Sequence, residues 1–245
     1  MTDSRSAILT YHSLDDSGSV ISTKPEIFRR QIESLAEAGI PVVPLDQVTS
    51  RPGSVALTFD DGYRNLAEHA FPALERFGIP ATVFVVSRFC GMLNNWPSQP
   101  PGIVPELPLL GWEELANAPQ CIAVAAHTAT HPKLPTLSRD ECDREMYECR
   151  EEIQHRLARP VHWLAYPYGS CSASVCSSAA RHFDLAVGTK LKFLSPPEAS
   201  PMNLPRIDMF YFAGQPSLDR FFSRWMRAYI GLRNAAREAR SHFSN

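Results

Sequence analysis

The sequence predicts an α/β fold, a distorted (β/α) barrel of seven or eight parallel strands in a single domain. Short apolar, β-branched segments alternate with helical patterns along the chain, and strands that alternate with helices pair in parallel. The length of 245 residues is the size of one such barrel. Hydrophobic residues make up 44% of the chain and charged residues 20%, an ordinary globular composition that excludes a disordered, collagen-like or coiled-coil protein.

Eight short segments rich in apolar and β-branched residues are predicted as strands. Five longer segments with helical periodicity are predicted as the helices between them. The strands are residues 7–11, 41–44, 55–59, 81–86, 122–126, 162–166, 185–187 and 204–207, and the helices are residues 25–38, 63–77, 112–118, 138–157 and 173–182. This number of units in one chain favours a closed or nearly closed barrel over an open sheet.

Capping residues mark the beginnings of two of these helices. Ser138 with Glu141, and Thr23 with Glu26, fit the capping box, in which each side chain satisfies a free N–H group of the first helical turn. Both pairs therefore predict a helix start.

Two segments lie outside the alternating pattern. Residues 91–110 contain five prolines and two glycines and are predicted as a long ordered loop or lid. Residues 1–217 are assigned to the barrel, and residues 218–245 to an Arg-rich C-terminal helix of the same domain. Its apolar stripe predicts packing against the barrel, with an interfacial membrane helix as the less favoured alternative. The stripe consists of Phe221, Phe222, Trp225, Met226, Tyr229 and Ile230.

Charge and composition limit the class of partner and the location. The formal net charge is −2, which gives no reason to expect nucleic acid as a partner. No apolar run approaches the ~20 residues that span a bilayer, and no secretory signal pattern is visible at the N-terminus, so we expect a cytoplasmic protein. The six cysteines form no CxxC pair and are expected to be reduced. The oligomeric state stays open.

The first chemical motif is TFDDGY, residues 58–63, where a predicted strand ends in two adjacent carboxylates. The C-terminal ends of barrel strands form the active-site face, and Gly62 lets the chain turn so that Asp60 and Asp61 can converge there. Closely spaced like charges require a cation or a proton. A turn in which one aspartate caps the next helix is the alternative interpretation.

The second motif is HTATH, residues 127–131, directly after the predicted strand 122–126. Two imidazoles four residues apart can share one metal ion, although a pair of surface histidines fits the pattern as well. Together with an aspartate at the same end of the barrel, they supply a three-ligand set for a catalytic divalent metal. One carboxylate can then bind the ion while its neighbour serves as the base.

A third motif, YPYG at residues 166–169, also follows a strand. A rigid turn there could aim a backbone N–H group at a developing oxyanion, although an aromatic turn without a role is the more usual interpretation of such a sequence on its own. The three motifs in this order resemble the polysaccharide deacetylase family (carbohydrate esterase family four, with the NodB homology domain) over roughly residues 7–210. The resemblance implies a distorted barrel and one divalent metal ion, usually Zn²⁺, with Co²⁺ or another transition metal as alternatives.

By matching positions, the resemblance implies that Asp61, His127 and His131 bind the metal. It also implies that Asp60 is the general base and that the Tyr168 N–H group helps to polarise the substrate carbonyl.

The sequence departs from the family pattern in two places. The third motif commonly opens with an arginine that orients the catalytic aspartate, and Ala165 stands there. The late motif that carries a general-acid histidine is missing. In its place the chain resembles the permuted poly-N-acetylglucosamine deacetylases, whose layout implies His12 of the early YHSL segment as the acid; a buried histidine is the alternative. We expect Arg206 on the last strand to pair with Asp60, or else with Asp208.

The expected function is that of a metal-dependent hydrolase. It would remove N-acetyl groups from N-acetylhexosamine units of a polysaccharide or its precursor, with release of acetate, during exopolysaccharide biosynthesis. Tyr63, Trp96 and Tyr166 could pack against a sugar at the rim, although each could equally belong to the core. Two alternatives stay open: a hydrolase of a small amide or cyclic imide, and a non-catalytic glycan-binding barrel.

Overall fold

A computed structural model of the chain describes residues 5–99, 102–195 and 200–243. Parts of the predicted loop 91–110 and of the predicted C-terminal helix, residues 100–101 and 244–245, therefore lie outside the described residues.

Seven parallel strands form one curled sheet in the described part of the chain. They are β1 (Ala7–Tyr11), β4 (Val55–Phe59), β5 (Ala81–Val85), β6 (Ile122–Ala126), β7 (Trp163–Ala165), β8 (Leu185–Val187) and β9 (Ile207–Asp208). Their spatial order is β8-β7-β6-β5-β4-β1-β9. Two short strands, β2 (Ser13–Leu14) and β3 (Ser22–Thr23), pair separately. The predicted parallel α/β barrel is confirmed.

Helices cover the outer face of the sheet. They are α1 (Pro25–Glu37), α2 (Asn65–His69), α3 (Phe71–Phe77), α4 (Trp112–Ala116), α5 (Arg139–Leu157), α6 (Ala173–Ala179) and α7 (Arg224–Phe243). The capping box at α5 is confirmed, with Ser138 and Glu141 bonded to each other's backbone N–H groups. The predicted helix 63–77 is two helices, because Pro72 begins a new helical turn and cannot donate the hydrogen bond of a continuous one.

Two local predictions are wrong. Thr23 does not cap α1, because it pairs with Leu14 in β3 and leaves Lys24 as the N-cap residue. The segment 41–44 is not a strand, since only Val42 bridges to Val55.

The sheet is apolar on both faces. Alternate residues such as Leu9, Leu57 and Val83 belong to a large core cluster that includes residues of the helices. Their neighbours Ile8 and Phe84 belong to a smaller cluster that contains no residue of the α-helices. Because side chains alternate along a strand, the second cluster is the barrel interior.

The segment 204–208 brings the two edges of the sheet together. Leu204 exchanges backbone hydrogen bonds with β8, its N–H donating to Ala186 and its carbonyl accepting from Gly188, both at 2.9 Å. Three residues later Ile207 pairs with Leu9 of β1. One short segment thus contacts the first strand and the eighth, and this nearly closes the barrel.

The C-terminal segment packs against the barrel with one side, and its helix begins at Arg224 rather than at the predicted residue 218. Phe221 and Ile230 are buried in the main core, and Phe222, Met226 and Tyr229 pack against it. Trp225 lies on the other side and is 86% exposed. Within the described residues, no helix is both long and apolar enough to span a bilayer.

Candidate active site

The motif residues meet at the C-terminal edge of the sheet. His12 follows β1, Asp60 and Asp61 follow β4, His127 follows β6, and Tyr168 lies just beyond β7. Parallel strands place these ends side by side, so residues far apart in sequence share one site.

The turn after β4 separates the two carboxylates. The Asp60 N–H donates to the Tyr11 carbonyl at 3.0 Å and so continues the sheet, whereas Asp61 and Gly62 turn away with φ of 69° and 75°. A Cβ on Gly62 would lie 3.0 Å from Val85 Cγ1, which explains why glycine occupies the turn. Asp61 thereby faces His127 and His131, while Asp60 faces the barrel interior.

Asp61, His127 and His131 form a triangle of possible metal donors. Asp61 Oδ1 lies 3.4 Å from His127 Nε2 and 3.5 Å from His131 Nε2, and the two Nε2 atoms are 3.2 Å apart. Ligands at about 2.0–2.1 Å from one tetrahedral ion lie about 3.4 Å from each other, so this set fits a single Zn²⁺ ion. All three side chains are buried, and this is the only such group of three found among the described residues.

A backbone carbonyl fixes the orientation of the His127 ring. Its Nδ1–H donates to the Ala165 carbonyl at 2.8 Å, so Nε2 is the ring atom that faces the triangle. A backbone acceptor behind a ligating imidazole fixes both ring orientation and tautomer. Ala165, where the family pattern has arginine, contributes through its backbone.

The loop that carries His131 is held from two sides. The His131 N–H donates to Thr128 Oγ1 at 3.0 Å, and both residues have positive φ, 58° and 68°. Glu145 of α5 accepts hydrogen bonds from the Thr130 N–H and hydroxyl at 2.8 and 2.7 Å. Positive φ at non-glycine residues costs free energy, so these hydrogen bonds maintain a strained loop at the site.

Arg206 is the partner of Asp60. Its guanidinium donates to both carboxylate oxygens, Nη1 to Oδ1 at 2.7 Å and Nη2 to Oδ2 at 2.6 Å. Its Nε donates to the Gly188 carbonyl at 2.8 Å, and Nη1 also reaches Thr58 Oγ1 at 3.2 Å. Both members of the pair are buried. Asp208 makes a different contact, since its Oδ1 accepts from the Phe210 N–H.

The electrostatics keep the carboxylate ionised and one imidazole neutral. Burial acts to raise the pKa of Asp60, but the Arg206 guanidinium outweighs it and holds this pKa well below its usual range. Burial, with a further contribution from His127, lowers the pKa of His131 to about 3. A neutral imidazole is the form that binds a metal ion.

His12 lies at the edge of this charged pair. Its Nε2 is 3.9 Å from Asp60 Oδ2, and its side chain is 23% exposed. The position suits a group that exchanges a proton with a bound molecule and with solvent, because it is neither sealed in the core nor fully solvated.

Tyr168 packs against the ring of His131. Its ring centroid is 4.7 Å from that of His131, and its φ of 58° makes the turn after β7 left-handed. Gly169 follows with φ of 66°, and a Cβ there would lie 2.0 Å from Thr189 Oγ1. Close packing against Thr189 therefore fixes this turn.

The three aromatic residues expected at the rim are buried instead. Tyr63 accepts a hydrogen bond from Asn94, and Tyr166 donates its hydroxyl proton to the Met202 carbonyl at 2.7 Å. Trp96 covers the His131 ring, with centroids 4.3 Å apart. None of them offers an open face to a sugar, because the loop after β5 and the segment before β9 cover them.

Sequence reasoning also missed Ser98, which lies in the proline-rich loop. Its hydroxyl donates to the His131 carbonyl at 2.5 Å and lies 2.9 Å from the Tyr168 hydroxyl. No periodic pattern surrounds it, so only the folded loop reveals its position.

Comparisons with known proteins identify related chains and related solved structures. The family model described as polysaccharide deacetylase matches residues 47–187. The putative polysaccharide deacetylase YxkH of Bacillus subtilis (strain 168) is 23% identical over 183 residues, 71% of this chain and 60% of that protein. The chitin deacetylase of Colletotrichum lindemuthianum is 31% identical over 140 residues, 57% of this chain and 51% of that protein. The chain thus spans only 51–60% of the length of these two curated relatives.

Solved structures show the same fold. The Streptococcus pyogenes deacetylase PplD, in complex with acetate, has a TM-score of 0.71 at 22% identity, over 84% of this chain and 93% of that one. IcaB from Ammonifex degensii has a TM-score of 0.72 at 20% identity, over 88% and 98%.

Proposed function

The chain belongs to the polysaccharide deacetylase family, and from that premise we propose that it is a metal-dependent hydrolase of N-acetylated glycans. It removes acetyl groups from N-acetylhexosamine units of a polysaccharide or its precursor, during exopolysaccharide biosynthesis. The substrate is an amide, and the products are acetate and a free amine. The observation that carries the proposal is the pairing of a three-donor triangle, Asp61, His127 and His131, with a separate ionised carboxylate, Asp60.

The triangle suits Zn²⁺, with Co²⁺ or another transition metal as alternatives. One carboxylate oxygen and two imidazole nitrogens leave coordination positions open, as in catalytic rather than structural sites. Such an ion, when bound, polarises a carbonyl oxygen and makes water more acidic.

Asp60 is the general base of the proposed reaction. Arg206 binds both of its oxygens, so the carboxylate is ionised and held in one orientation. It takes a proton from the attacking water as the bond from water oxygen to carbonyl carbon forms. The same pairing makes Asp60 a weak base, because Arg206 holds its pKa below the usual range.

His12 is the general acid. It gives a proton to the nitrogen of the sugar as the carbon–nitrogen bond breaks, so the leaving group departs as a neutral amine. Its distance of 3.9 Å from Asp60 supports this role, because both residues can then reach the same amide group of a bound substrate. The Tyr168 N–H group donates to the oxygen that gains negative charge.

Metal content and acetate release, measured on the same samples, test the proposal. We expect about one transition-metal ion per wild-type chain by elemental mass spectrometry, and its loss in His131→Ala. We expect acetate release from acetylated chitooligosaccharides by the wild type. Asp60→Asn should keep the metal and lose turnover, whereas Asp61→Asn should lose the metal.

Three outcomes would contradict parts of the proposal. Metal loss in Asp60→Asn, with retention in Asp61→Asn, would reverse the two aspartate roles. Metal-dependent hydrolysis of cyclic imides, but not of glycans, would change the proposed substrate class to a small amide or cyclic imide. Glycan binding without acetate release, together with no bound metal after incubation with Zn²⁺ or Co²⁺, would indicate a non-catalytic glycan-binding protein.

A further inference from the structure

The loop after β5 forms a two-armed structure that we call the strap, residues 91–99 and 102–110. Its arms run antiparallel and exchange backbone hydrogen bonds, Gly91 N–H to Leu110, Leu109 N–H to Met92 and Asn94 N–H to Leu107, at 2.8–3.1 Å. The strap is therefore an ordered element with its own hydrogen bonds.

The base of the strap is joined to the turn that carries Asp61. The Leu110 N–H donates to the Gly62 carbonyl at 2.8 Å, and the Arg64 N–H donates to the Pro108 carbonyl at 2.9 Å. These bonds bracket the residues that follow Asp61, so a displacement of this arm moves the turn with it.

Asn94 connects the strap to the same turn through a side chain. It is fully buried and makes three hydrogen bonds: Nδ2 donates to the Tyr63 hydroxyl at 3.0 Å and to the Pro105 carbonyl at 3.1 Å, and Oδ1 accepts from the Leu107 N–H at 2.7 Å. One residue thus holds both arms together and fixes Tyr63, two residues after Asp61.

The strap also contacts His131, which lies on a different loop. The Trp96 ring packs against the imidazole, and the Ser98 hydroxyl donates to the His131 carbonyl and contacts the Tyr168 hydroxyl. Neither Trp96 Nε1 nor His131 Nδ1 has a hydrogen-bond partner among the described residues, so ring packing is what joins this pair. The strap therefore touches the surroundings of two of the three proposed ligands.

We propose that the strap is a structural part of the metal centre, with Asn94, Trp96 and Ser98 as positioning residues that hold the Asp61 turn and His131 in place for a metal ion. The inference rests on the metal dependence proposed above. It implies that strap docking and metal binding favour each other. Coupling of this kind is reciprocal: the factor by which the docked strap tightens metal binding equals the factor by which the metal stabilises docking.

Zinc affinity is the first test, measured by competition with a chromophoric chelator. We expect Ser98→Ala to weaken zinc binding about 3- to 10-fold, the range set by one lost hydrogen bond. Trp96→Ala should weaken it further and Trp96→Phe should restore part of the loss. The matched control is Ile103→Ala, because Ile103 belongs to the strap but is 61% exposed. Its zinc affinity should stay within twofold of the wild type.

Hydrogen exchange is the second test and does not depend on activity. Zinc should slow exchange of the Asn94, Leu107 and Leu109 amides in the wild type and have no effect on them in His131→Ala. Unchanged affinity in both Ser98→Ala and Trp96→Ala, or unchanged exchange on addition of zinc, would overturn the inference while leaving the proposed function intact. A wild type that binds no zinc would overturn both.

Discussion

Arg206 donates two hydrogen bonds to Asp60 although 146 residues separate them in sequence. The arginine precedes the last strand, reaches through the barrel interior and lies over the Phe84 ring at 5.8 Å. It supplies the charge that the family pattern takes from the third motif, where this chain has Ala165. A different segment of the chain thus provides an arginine partner to the same carboxylate.

Arg206→Met should lower both activity and stability. Removing one member of a buried ion pair leaves an uncompensated charge and costs about 3–5 kcal/mol in the free energy of unfolding. A misplaced base should cost about 100-fold in kcat/KM. Arg206→Lys should lose much of the activity as well, because an ammonium group cannot make the two parallel hydrogen bonds.

Urea denaturation and acetate release measure both effects of Arg206→Met. Arg220→Met is the control, since the Arg220 side chain is 88% exposed. The double variant Asp60→Asn with Arg206→Met should be more stable than Arg206→Met alone. If Arg206→Met unfolded within 1 kcal/mol of the wild type, the pair would not hold the charge as described.

His12→Ala should retain zinc and lose activity by about 10²- to 10⁴-fold, the usual contribution of a general acid. The control is His162→Ala, because His162 lies just before β7, at the other end of the barrel, and is more than half exposed. Zinc content and initial rates are the measurements. A near-normal rate in His12→Ala would assign the proton transfer to another group.

Stability should fall as the pH falls below about 4, the pKa of an aspartate in an unfolded chain. The Asp60 pKa is lower in the folded protein, because Arg206 outweighs the opposite effect of burial. The unfolded state therefore binds a proton first, and the stabilisation present at neutral pH is lost during acidification. One such group contributes a slope of at most about 1.4 kcal/mol per pH unit.

Urea titrations between pH 2.5 and 5 test this slope, with Asp60→Asn as the comparison. The variant should show a shallower pH dependence, and the difference between the two curves isolates Asp60 from other acidic groups such as Asp61. Parallel curves would mean that Asp60 has the same pKa in both states.

Gly169→Ala should destabilise the protein more than Gly39→Ala. Both glycines have φ near 65°, but a Cβ at position 39 would meet no atom within 4 Å, whereas one at position 169 would collide with Thr189. The control therefore carries the left-handed penalty alone, about 1–2 kcal/mol. Thermal unfolding should rank the two variants, and kcat should fall only in Gly169→Ala. Equal melting temperatures would show that Thr189 moves aside.

Much of the site follows from the sequence because parallel strands end at one edge. Motifs at the ends of β4 and β6 had to meet there, and so did the YPYG turn after β7. The same reasoning places His12 close to Asp60, since β1 pairs with β4 along its full length.

Burial of the aromatic residues could not be predicted in this way. Tyr63 is covered by the proline-rich segment 91–110, and Trp96 belongs to that segment. The segment has no helical or strand periodicity, so no local pattern indicates which side chains are buried. The missing cap at Thr23 has a similar origin. Thr23 pairs with Leu14 of another short strand, and this pairing takes the place of the local capping hydrogen bond. Both differences arise from contacts between segments.

The meeting of the first and last strands has a consequence for the timing of synthesis. Asp60, Asp61, His127 and His131 all leave the ribosome before Arg206 does. Until the segment that contains Arg206 is in place, Asp60 lacks the guanidinium that binds both of its oxygens in the complete fold. The proposed reaction therefore requires the last segment of the barrel to be in place. The onset of acetate release would report that the last step of folding is complete.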